Sequence, residues 1–395
     1  MMSTTDSAAV AAVLEEVTAL AATLRAGGAE AEERRWVPDE NIELLDKAGV
    51  FRLSVPRRFG GLEAPVADVT RIVSEISRAE TATGWVSMIW VSSAWVPSLF
   101  PDEAQEEVYA GGSVRVSTGF TPTGTLTPAE DGGYTLSGSW KWISGCRGTD
   151  WALLAALLPG PDGTPAPAAA LVPVSSLSIA DDWHASAAAG TGSSTVTADA
   201  VTVPARRVIS LLDVLAGTTG DRANTGATGR NYAFIPFFMA LGASAYLGLA
   251  RGAYELFLER LPGRGITYTS WTDQSQSPVT QIQVAQAENK IAAAEALQEA
   301  WLRALQEHAD AGTLPSVEER AAARGKAAFA IELAKQAVDE LFEAAGASVI
   351  MRDVAFQRFH RDMRGLALHA LFAYRTNQEV HGRSLLGLAP DTLFL

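Results

Sequence analysis

Two short stretches of the sequence combine residue types that could perform chemistry. The first, Trp140-Lys141-Trp142-Ile143-Ser144-Gly145, places large aromatic side chains beside a hydroxyl group and a glycine at the end of a predicted strand. Such a stretch can cover a planar ring and offer a hydrogen bond to its edge. It can equally be an edge strand whose aromatic side chains pack on neighbouring helices. The residues alone leave both interpretations open.

The second stretch, residues 359–369, contains a carboxylate and an imidazole seven positions apart. On one continuous helix, Asp362 and His369 would lie two turns apart on nearly the same face. An imidazole titrates near neutral pH, so His369 is a candidate base. The alternative is a histidine satisfied within the core, because an apolar run over 370–374 follows it.

Other common catalytic motifs are absent from the sequence. The five histidines lack the spacing of a helical zinc site, and the single cysteine, Cys146, excludes a Cys-rich site, so no metal is expected. No phosphate-binding P-loop, dinucleotide-binding glycine motif or nucleophile elbow is present either. Taken by themselves, these residues indicate an enzyme-sized α+β protein and go no further.

Hydrophobic patterning predicts the elements that must position the two stretches. Apolar residues recur at helical spacing over residues 1–112, which predicts an N-terminal helical domain. Over 113–212, glycine and proline become frequent and strand-sized apolar runs appear, which predicts a central β domain. A linker rich in glycine and threonine over 213–229 precedes a predicted four-helix bundle over 230–395, whose last helix spans 354–386.

Composition and charge exclude several classes of function. The formal charge of −14 disfavours nucleic acid and anionic membranes as partners, because both attract clustered Lys and Arg. Two charge-free stretches, 81–101 and 231–250, are long enough to span a bilayer. They contain Ser, Pro and Gly at intervals and are expected to be buried core helices. The first residues lack the features of a signal peptide, so a cytoplasmic location is expected.

Several short segments occur together in the order that one known superfamily shows. They are residues 37–40, 56–61, 83–86, 132–140, 181–184, 190–193, 357–362 and 385–390. Nearly the whole chain thereby resembles the acyl-CoA dehydrogenase superfamily. It is more similar to the monooxygenase branch, which includes the oxygenase components of two-component hydroxylases such as p-hydroxyphenylacetate hydroxylase, dibenzothiophene monooxygenases and amino-sugar nitrososynthases.

The resemblance implies a mainly α fold with a central β domain. An N-terminal helical domain, a β-barrel or sandwich, and a C-terminal four-helix bundle would follow one another, with flavin held between the last two. Trp142 would lie against the isoalloxazine ring and Ser144 would reach its N5 atom. The other residues expected to contact the cofactor are Ser117, Thr118, Gly119 and Gln283. The residues expected to line the substrate pocket are Trp85, Trp90, Ser93, Trp95, Phe120 and His369.

The resemblance also bears on the reaction. Dehydrogenases of this superfamily place a catalytic glutamate near positions 368–370, where this chain has no acid, and His369 matches a histidine of the hydroxylases. This implies a monooxygenase that uses O2 and reduced FAD or FMN from a separate reductase. It would hydroxylate a small aromatic or indole-like molecule, in secondary metabolism, through oxygen added at flavin C4a. The alternatives are N-oxygenation of an amino sugar, FAD-dependent dehydrogenation, and a non-catalytic flavin-binding protein.

Two departures from the family pattern affect the site. Ser93 stands where related phenol hydroxylases usually have a second histidine. Residues 272–276 correspond to a segment that grips FAD phosphates from a neighbouring subunit, and the arginine of that segment is missing. Both FAD and FMN therefore remain possible. The superfamily packs bundle against bundle, so a homo-oligomer built as a dimer of dimers is expected.

Overall fold

The N-terminal part of the protein is helical, as predicted. The computed structural model describes residues 4–160, 163–217 and 232–395. Its first helices are α1 (Thr4–Ala26), α2 (Gly28–Arg34), α3 (Asp39–Lys47), α4 (Val66–Ala79), α5 (Thr81–Ser93) and α6 (Asp102–Val108). Every residue of α5 is buried, which explains why this helix has no polar face. The carboxylate of Glu80 caps it by accepting the backbone N–H groups of Ala82 and Thr83.

The central domain expected as a barrel or sandwich is one hydrogen-bonded sheet with the order β5-β6-β2-β1-β3-β4-β7. Its strands are β1 (Val116–Pro128), β2 (Tyr134–Ile143), β3 (Trp151–Pro159), β4 (Pro165–Pro173), β5 (Ser178–Ile179), β6 (Ser194–Val203) and β7 (Val208–Ser210). Strands β1 and β3 are parallel, with Val116 opposite Trp151, and the other pairs are antiparallel.

Successive side chains of β3 serve two cores, because side chains alternate between the faces of a strand. Leu153 and Ala155 belong to the main core, which they share with the helices. Ala152 and Leu154 belong to a second core made mostly by the sheet itself, which also contains Trp140 and Ile143. The end of β2 that carries Trp142 and Ser144 is therefore anchored from inside the sheet.

The C-terminal part is a helical bundle, but two of its predicted boundaries are wrong. Its helices are α7 (Leu211–Ala216), α8 (Phe234–Arg260), α9 (Pro278–Ala311), α10 (Val317–Ala344), α11 (Ala355–Leu366) and α12 (Tyr374–Leu385). Residues 213–216, predicted as part of a linker, belong to α7; residues 218–229 of that linker lie outside the described residues. The single helix predicted over 354–386 is divided into α11 and α12, and His369 lies in the turn between them.

Helix α8 is the second long apolar stretch identified in the sequence. It is long and apolar enough to cross a membrane, and 94% of its apolar window is buried inside the protein, as expected for a core helix. Residues 7–26 in α1 meet the same criterion with 22% of the window buried. In α1, Val10, Val13, Val17 and Leu24 pack into the main core. Since α8 also packs on α4, α5, α10 and α11, it is the axis around which the two helical parts assemble.

Candidate active site

An irregularity at the end of β2 turns Trp142 outward. The pairing of β2 with β6 shifts between Trp140 and Ile143, and Trp142 has φ +63°, in the left-handed region that tryptophan rarely adopts. Bulges of this kind re-aim side chains and are frequent next to active sites. Trp140 points inward and donates from its indole nitrogen to the carbonyl of Ala155 at 2.8 Å. The Trp142 side chain is 74% exposed, so its ring face is available to a planar ligand.

Ser144 follows the bulge and is held from three directions. The indole N–H of Trp85 on α5 donates to Ser144 Oγ at 3.1 Å. Ser193 Oγ lies 2.7 Å from the same oxygen. Ser117 on β1 donates from its hydroxyl to the Ser144 carbonyl at 2.9 Å. The structure thus brings together Ser117 and Ser144, both expected to contact the cofactor, and adds Trp85 and Ser193 to the same cluster.

The turn before β6 supplies Ser193. Gly192 has φ +52°, and a Cβ there would lie 2.8 Å from the ring of Trp36, so glycine is needed at this position. The turn brings Thr191 Oγ1 within 2.7 Å of Ser193 Oγ. Thr191 in turn donates to the carbonyl of Ala188 at 2.8 Å.

Asp362 supports this turn and does not accompany His369, contrary to the prediction that the two share one helix face. Its carboxylate accepts the Ala188 N–H at 2.6 Å and the hydroxyl of Thr81. Burial raises the pKa of Asp362 to about 6, and the nearby Glu80 acts in the same direction. Because α11 ends at Leu366, the two-turn spacing assumed for His369 does not exist.

His369 lies beside Trp85 and is held by the backbone of its own turn. Its ring centroid is 5.8 Å from that of Trp85 and 5.1 Å from that of Phe372. Its Nδ1 accepts the backbone N–H of Leu371 at 3.3 Å, so in the neutral imidazole the proton is on Nε2. More than a third of the residue's surface is accessible, yet dense surrounding protein removes most of its hydration and lowers its pKa to about 4. The imidazole is therefore neutral near pH 7.

Trp85 connects the two candidate catalytic residues. It donates a hydrogen bond to Ser144, and its ring meets His369 edge to face. Tyr246 and Phe372 also pack against this indole, at centroid distances of 5.7 and 5.9 Å. Ser144 and His369, which are 225 positions apart in sequence, therefore lie next to the same buried side chain.

A row of aromatic rings extends from His369 to two other predicted pocket residues. Trp95 and Phe120 both contact Phe234, at centroid distances of 6.1 and 5.2 Å. Phe234 contacts Phe238 at 6.0 Å, and Phe238 stacks on Phe372 at 5.8 Å. The rings of α8 were missed by the sequence reasoning, although the absence of a polar face in that helix was a signal that it lines an interior.

The other residues predicted to line the pocket or contact the flavin differ in how close they lie to the Ser144 and His369 site. Trp90 contacts Trp36 and Phe51 and donates to the Gly145 carbonyl at 3.2 Å, so it supports the β2 end from the N-terminal core rather than contacting His369. The Ser93 and Thr118 hydroxyls are 3.5 Å apart.

Gly119 and Gln283 complete the set of predicted residues. A Cβ on Gly119 would lie 3.0 Å from Ile143, so glycine lets β1 approach the β2 end closely. Gln283 is half-buried on α9, a helix that packs mainly on α8 and α10.

A separate cationic cluster lies where the loop after α8 meets the segment after α10. Arg260 and Arg264 both donate to the hydroxyl of Ser348, at 3.2 and 2.6 Å. Within the described part of the chain, neither guanidinium forms an ion pair, and Arg260 Nε is buried without a hydrogen-bond partner. Burial and the adjacent Arg264 lower the pKa of Arg260. Two guanidinium groups sharing one hydroxyl make a site that a phosphate group would complete.

This cluster changes the interpretation of the missing arginine. The backbone N–H of Gln274 donates to the carbonyl of Arg264 at 2.7 Å, and the Gln274 side chain donates to the Ala344 carbonyl at 2.6 Å. The loop thereby places Arg264 beside the segment 272–276 that lacks its own arginine. The sequence reasoning missed this because the arginine comes earlier in the chain, and only the loop conformation brings it back.

These features fit a flavin. The outward ring of Trp142 suits a planar ring system, the Ser144 hydroxyl offers a polar contact at its edge, and Arg260 and Arg264 offer two guanidinium groups to an anion. A helical domain, a mixed sheet and a bundle, with such a site at the end of β2, define a flavoprotein of the acyl-CoA dehydrogenase fold.

Comparison with known proteins identifies the family. Residues 7–115 match the family described as acyl-CoA dehydrogenase, N-terminal domain, and residues 240–374 match acyl-CoA dehydrogenase, C-terminal domain. The chain is 31% identical to the FADH(2)-dependent resorcinol hydroxylase, oxygenase component, of Rhizobium sp. (strain MTP-10005), over 95% of this chain and 94% of that protein. It is 28% identical to the p-hydroxyphenylacetate 3-hydroxylase, oxygenase component, of Acinetobacter baumannii, over 96% and 90% of the two chains.

A solved structure agrees with these relatives. XiaF from Streptomyces sp., solved in complex with FADH2 and glycerol, superposes with a TM-score of 0.91 at 29% identity, over 98% of both chains. The chain belongs to the flavin-dependent monooxygenase branch of the acyl-CoA dehydrogenase superfamily. It is the oxygenase component of a two-component system, and it uses O2 and reduced flavin supplied by a separate reductase.

Proposed function

We propose that this oxygenase hydroxylates a small aromatic or indole-like molecule bound between His369 and the aromatic rings of α5 and α8. The observation that carries the proposal is the position of Trp85, which contacts both Ser144 and His369. The wall around His369 is aromatic, and positions 368–370 contain no acid, which disfavours an amino sugar and the removal of an α-proton from an acyl thioester. The named relatives that act on resorcinol and p-hydroxyphenylacetate support an aromatic substrate.

His369 is proposed to orient the substrate by donating a hydrogen bond. Its Nδ1 is occupied by the Leu371 N–H, so Nε2–H is the group left to face a ligand. Its lowered pKa keeps it uncharged near pH 7. A neutral donor suits a phenol oxygen or the polar edge of an indole-like ring. The base role considered for His369 would require the opposite tautomer.

Ser144 and Trp142 are proposed to hold the flavin ring, with Ser144 near N5. The reduced flavin, when bound, activates O2 and supplies the oxygen atom that is transferred. The protein contributes burial and orientation: Trp85, Trp95, Phe120 and the rings of α8 exclude water from the space beside the flavin.

Arg260, Arg264 and Ser348 are proposed to bind a phosphate of the flavin held by a neighbouring copy of the chain. The superfamily segment that performs this task corresponds to residues 272–276, beside which Arg264 lies. Both FAD and FMN carry a phosphate group that this cluster could bind. It requires a homo-oligomer, which we propose to be a dimer of dimers in the cytoplasm, serving secondary metabolism. Gln283, on the following helix, belongs to this part of the proposed cofactor site.

The experiment uses Ser144→Ala with Ser139→Ala as its control. Ser139 is an exposed hydroxyl on the same strand. Protein loaded with reduced flavin is mixed with O2 and resorcinol or indole, and both H2O2 and hydroxylated product are quantified per flavin oxidised. We expect Ser144→Ala to remain folded, since one hydrogen bond contributes only about 0.5–1.5 kcal/mol, and to release several-fold more H2O2. Equal coupling in wild type and Ser144→Ala would remove Ser144 from the flavin site. Failure of the wild type to incorporate oxygen from O2 into any tested aromatic compound would count against aromatic hydroxylation.

A further inference from the structure

Ser144 is the last member of a row of three hydroxyl groups, which we name the hydroxyl relay: Thr191, Ser193 and Ser144. Thr191 Oγ1 lies 2.8 Å from the Ala188 carbonyl oxygen and 2.7 Å from Ser193 Oγ. Ser193 Oγ lies 2.7 Å from Ser144 Oγ. All three oxygens are thus within hydrogen-bond distance of their neighbours, and Thr191 and Ser193 are buried.

The ends of the relay determine the direction of every hydrogen bond in it. A carbonyl oxygen only accepts, so Thr191 donates its single proton to Ala188. Ser193 must then donate to Thr191, which leaves Ser144 as the donor to Ser193. At the other end the indole of Trp85 only donates, and it donates to Ser144 Oγ. Ser144 therefore has its proton and one lone pair committed, and one lone pair free.

The start of the relay is itself fixed. The Ala188 N–H is bound by the buried carboxylate of Asp362 at 2.6 Å, and the Ala188 carbonyl also accepts the indole N–H of Trp183 at 3.1 Å. The Gly145 N–H donates to the Thr191 carbonyl at 3.0 Å, which joins the relay to the β2 end. Reversing the relay would place the Thr191 hydroxyl oxygen 2.8 Å from the Ala188 carbonyl oxygen with no proton between them, although that carbonyl would keep the N–H donors of Thr191 and Trp183.

We propose that Thr191 and Ser193 are positioning residues of the flavin site: through the hydroxyl relay they fix Ser144 as a hydrogen-bond acceptor toward the flavin, and without them the protein would bind oxidised flavin more tightly. This inference rests on the proposed function, in which Ser144 faces N5. Reduced flavin carries a proton on N5 and can donate to the free lone pair of Ser144. Oxidised flavin has only a lone pair at N5, which Ser144 could meet only by breaking the relay. Thr191 and Ser193 are thereby positioning residues that act through Ser144.

The proposal predicts opposite signs for variants of one cluster. Ser193→Ala removes the acceptor of the Ser144 proton, and Thr191→Val lets Ser193 turn its proton toward Ser144. In both variants Ser144 becomes free to donate to N5 of oxidised flavin. Each variant should bind oxidised flavin about three- to tenfold more tightly than the wild type, the range that one hydrogen bond supplies. Ser144→Ala should instead lose affinity for reduced flavin and leave the affinity for oxidised flavin nearly unchanged.

The test measures binding rather than turnover. Kd values for FAD and for FMN are determined by fluorescence titration, in the oxidised form in air and in the dithionite-reduced form under anaerobic conditions. Thr195→Val is the matched control, because its hydroxyl bonds Asp182 outside the relay, on the strand β6 that follows Ser193. Melting temperatures identify any variant that fails to fold, and Thr191→Val, which preserves side-chain shape, replaces Ser193→Ala in that event.

The outcomes separate the relay from the site. A gain in oxidised-flavin affinity for Ser193→Ala and Thr191→Val, absent from Thr195→Val, supports the relay. The relay is overturned if Ser193→Ala and Thr191→Val lose affinity for oxidised and reduced flavin alike. It is also overturned if their ratio of oxidised-flavin Kd to reduced-flavin Kd stays within twofold of the wild-type ratio. If Ser144→Ala leaves the reduced-flavin Kd unchanged, the proposed position of Ser144 fails as well. If Ser144→Ala loses affinity for reduced flavin but Ser193→Ala and Thr191→Val show no change, only the relay is overturned and the position of Ser144 stands.

Discussion

At the residue scale, the state of His369 follows from its neighbours. The Leu371 amide takes one ring nitrogen, the aromatic wall removes water, and no hydrogen-bonded carboxylate stabilises the imidazolium in the described residues. Burial is accordingly the cause of its lowered pKa. Such an imidazole is a neutral hydrogen-bond donor near pH 7 rather than a proton acceptor.

Substitution of His369 tests this role. His369→Ala should lower coupled product formation by about tenfold, the effect of losing an orienting hydrogen bond, whereas loss of a general base costs roughly 10²–10⁴-fold. His369→Gln should recover part of the loss, since its amide N–H₂ can still donate. Product per folded molecule and the melting temperature are measured on both variants. A loss above 10²-fold that glutamine does not relieve would favour proton transfer, and full activity in His369→Ala would make the residue structural.

The same residue predicts a pH dependence of stability. Folding lowers the pKa of His369 from 6.5 to about 4, so between these values the unfolded chain binds more protons than the folded protein. This contribution therefore makes the protein less stable as pH falls from 6.5 to 4. The difference is about 1–2 kcal/mol once screening at the accessible edge is allowed for.

The measurement compares urea unfolding of the wild type and His369→Gln from pH 7.5 to 4.5. The variant should lose less stability on acidification, and Asp362, whose raised pKa acts with the opposite sign, is common to both proteins and cancels in the difference. Identical pH dependence in the two proteins would show that His369 titrates as it does in water.

At the element scale, the turn between α11 and α12 depends on hydrogen bonds from α12. The buried Asn377 amide donates to the carbonyls of Leu371 and Ala373, both at 2.9 Å. Its Oδ1 accepts from Arg324 Nε at 2.7 Å, and Arg324 also donates to the Phe394 carbonyl. Burial lowers the pKa of Arg324 to about 10. One asparagine thus joins the His369 turn to α10 and to the C-terminal segment.

Asn377→Asp separates the two functions of this side chain. The carboxylate keeps a partner for Arg324 but loses both N–H donors to the turn, and it repels the carbonyl oxygens it faces. We expect amide hydrogen exchange over residues 368–373 to accelerate about tenfold or more. Coupling of oxygen to product should fall, while the melting temperature changes little.

The control for this prediction is Gln378→Ala. Gln378 also joins α12 to α10, through the Gly325 carbonyl at 2.7 Å, but makes no hydrogen bond to the turn within the described residues. Unchanged exchange in Asn377→Asp would mean that packing of the buried Phe372 alone holds the turn.

At the scale of the whole molecule, the bundle presents apolar side chains that its own core does not use. Val279 and Ile282 on α9 are 63% and 57% exposed, and Leu385 and Leu386 at the end of α12 are 75% and 78% exposed. Neighbouring exposed apolar side chains, such as each of these two pairs, are typical of a contact surface. The proposed phosphate cluster also needs a second copy of the chain.

We expect light scattering to give a tetramer at micromolar concentration. Leu385→Glu combined with Leu386→Glu should shift the mass toward dimer or monomer, because four buried charges would have to be accommodated for each pair of copies. Leu212→Glu, on an exposed leucine of the short helix α7, should leave the mass unchanged. A 41.7 kDa particle for the wild type would contradict the oligomer and, with it, the role given to Arg260 and Arg264.

Much of the architecture could be predicted from the sequence. The change from helical to strand-sized apolar runs and back follows from burial periodicity, which is a local property of the chain. The same holds for the strand that ends just before Ser144 and for the absence of an acid at 368–370. These features involve neighbours in sequence, and the order of the matching segments was enough to show the resemblance to a known superfamily, which implied a flavin-dependent oxygenase.

Only the tertiary structure decided which of these residues meet. The turn at His369 replaced a helix because Asn377 and Phe372 stabilise it through contacts that helical spacing does not encode. Trp85 contacts both Ser144 and His369. The loop after α8 brings Arg264 beside Gln274, and Ser193 lies within hydrogen-bond distance of the Ser144 hydroxyl. Each of these pairings depends on how segments pack, and packing is a property of the assembled core rather than of any local pattern.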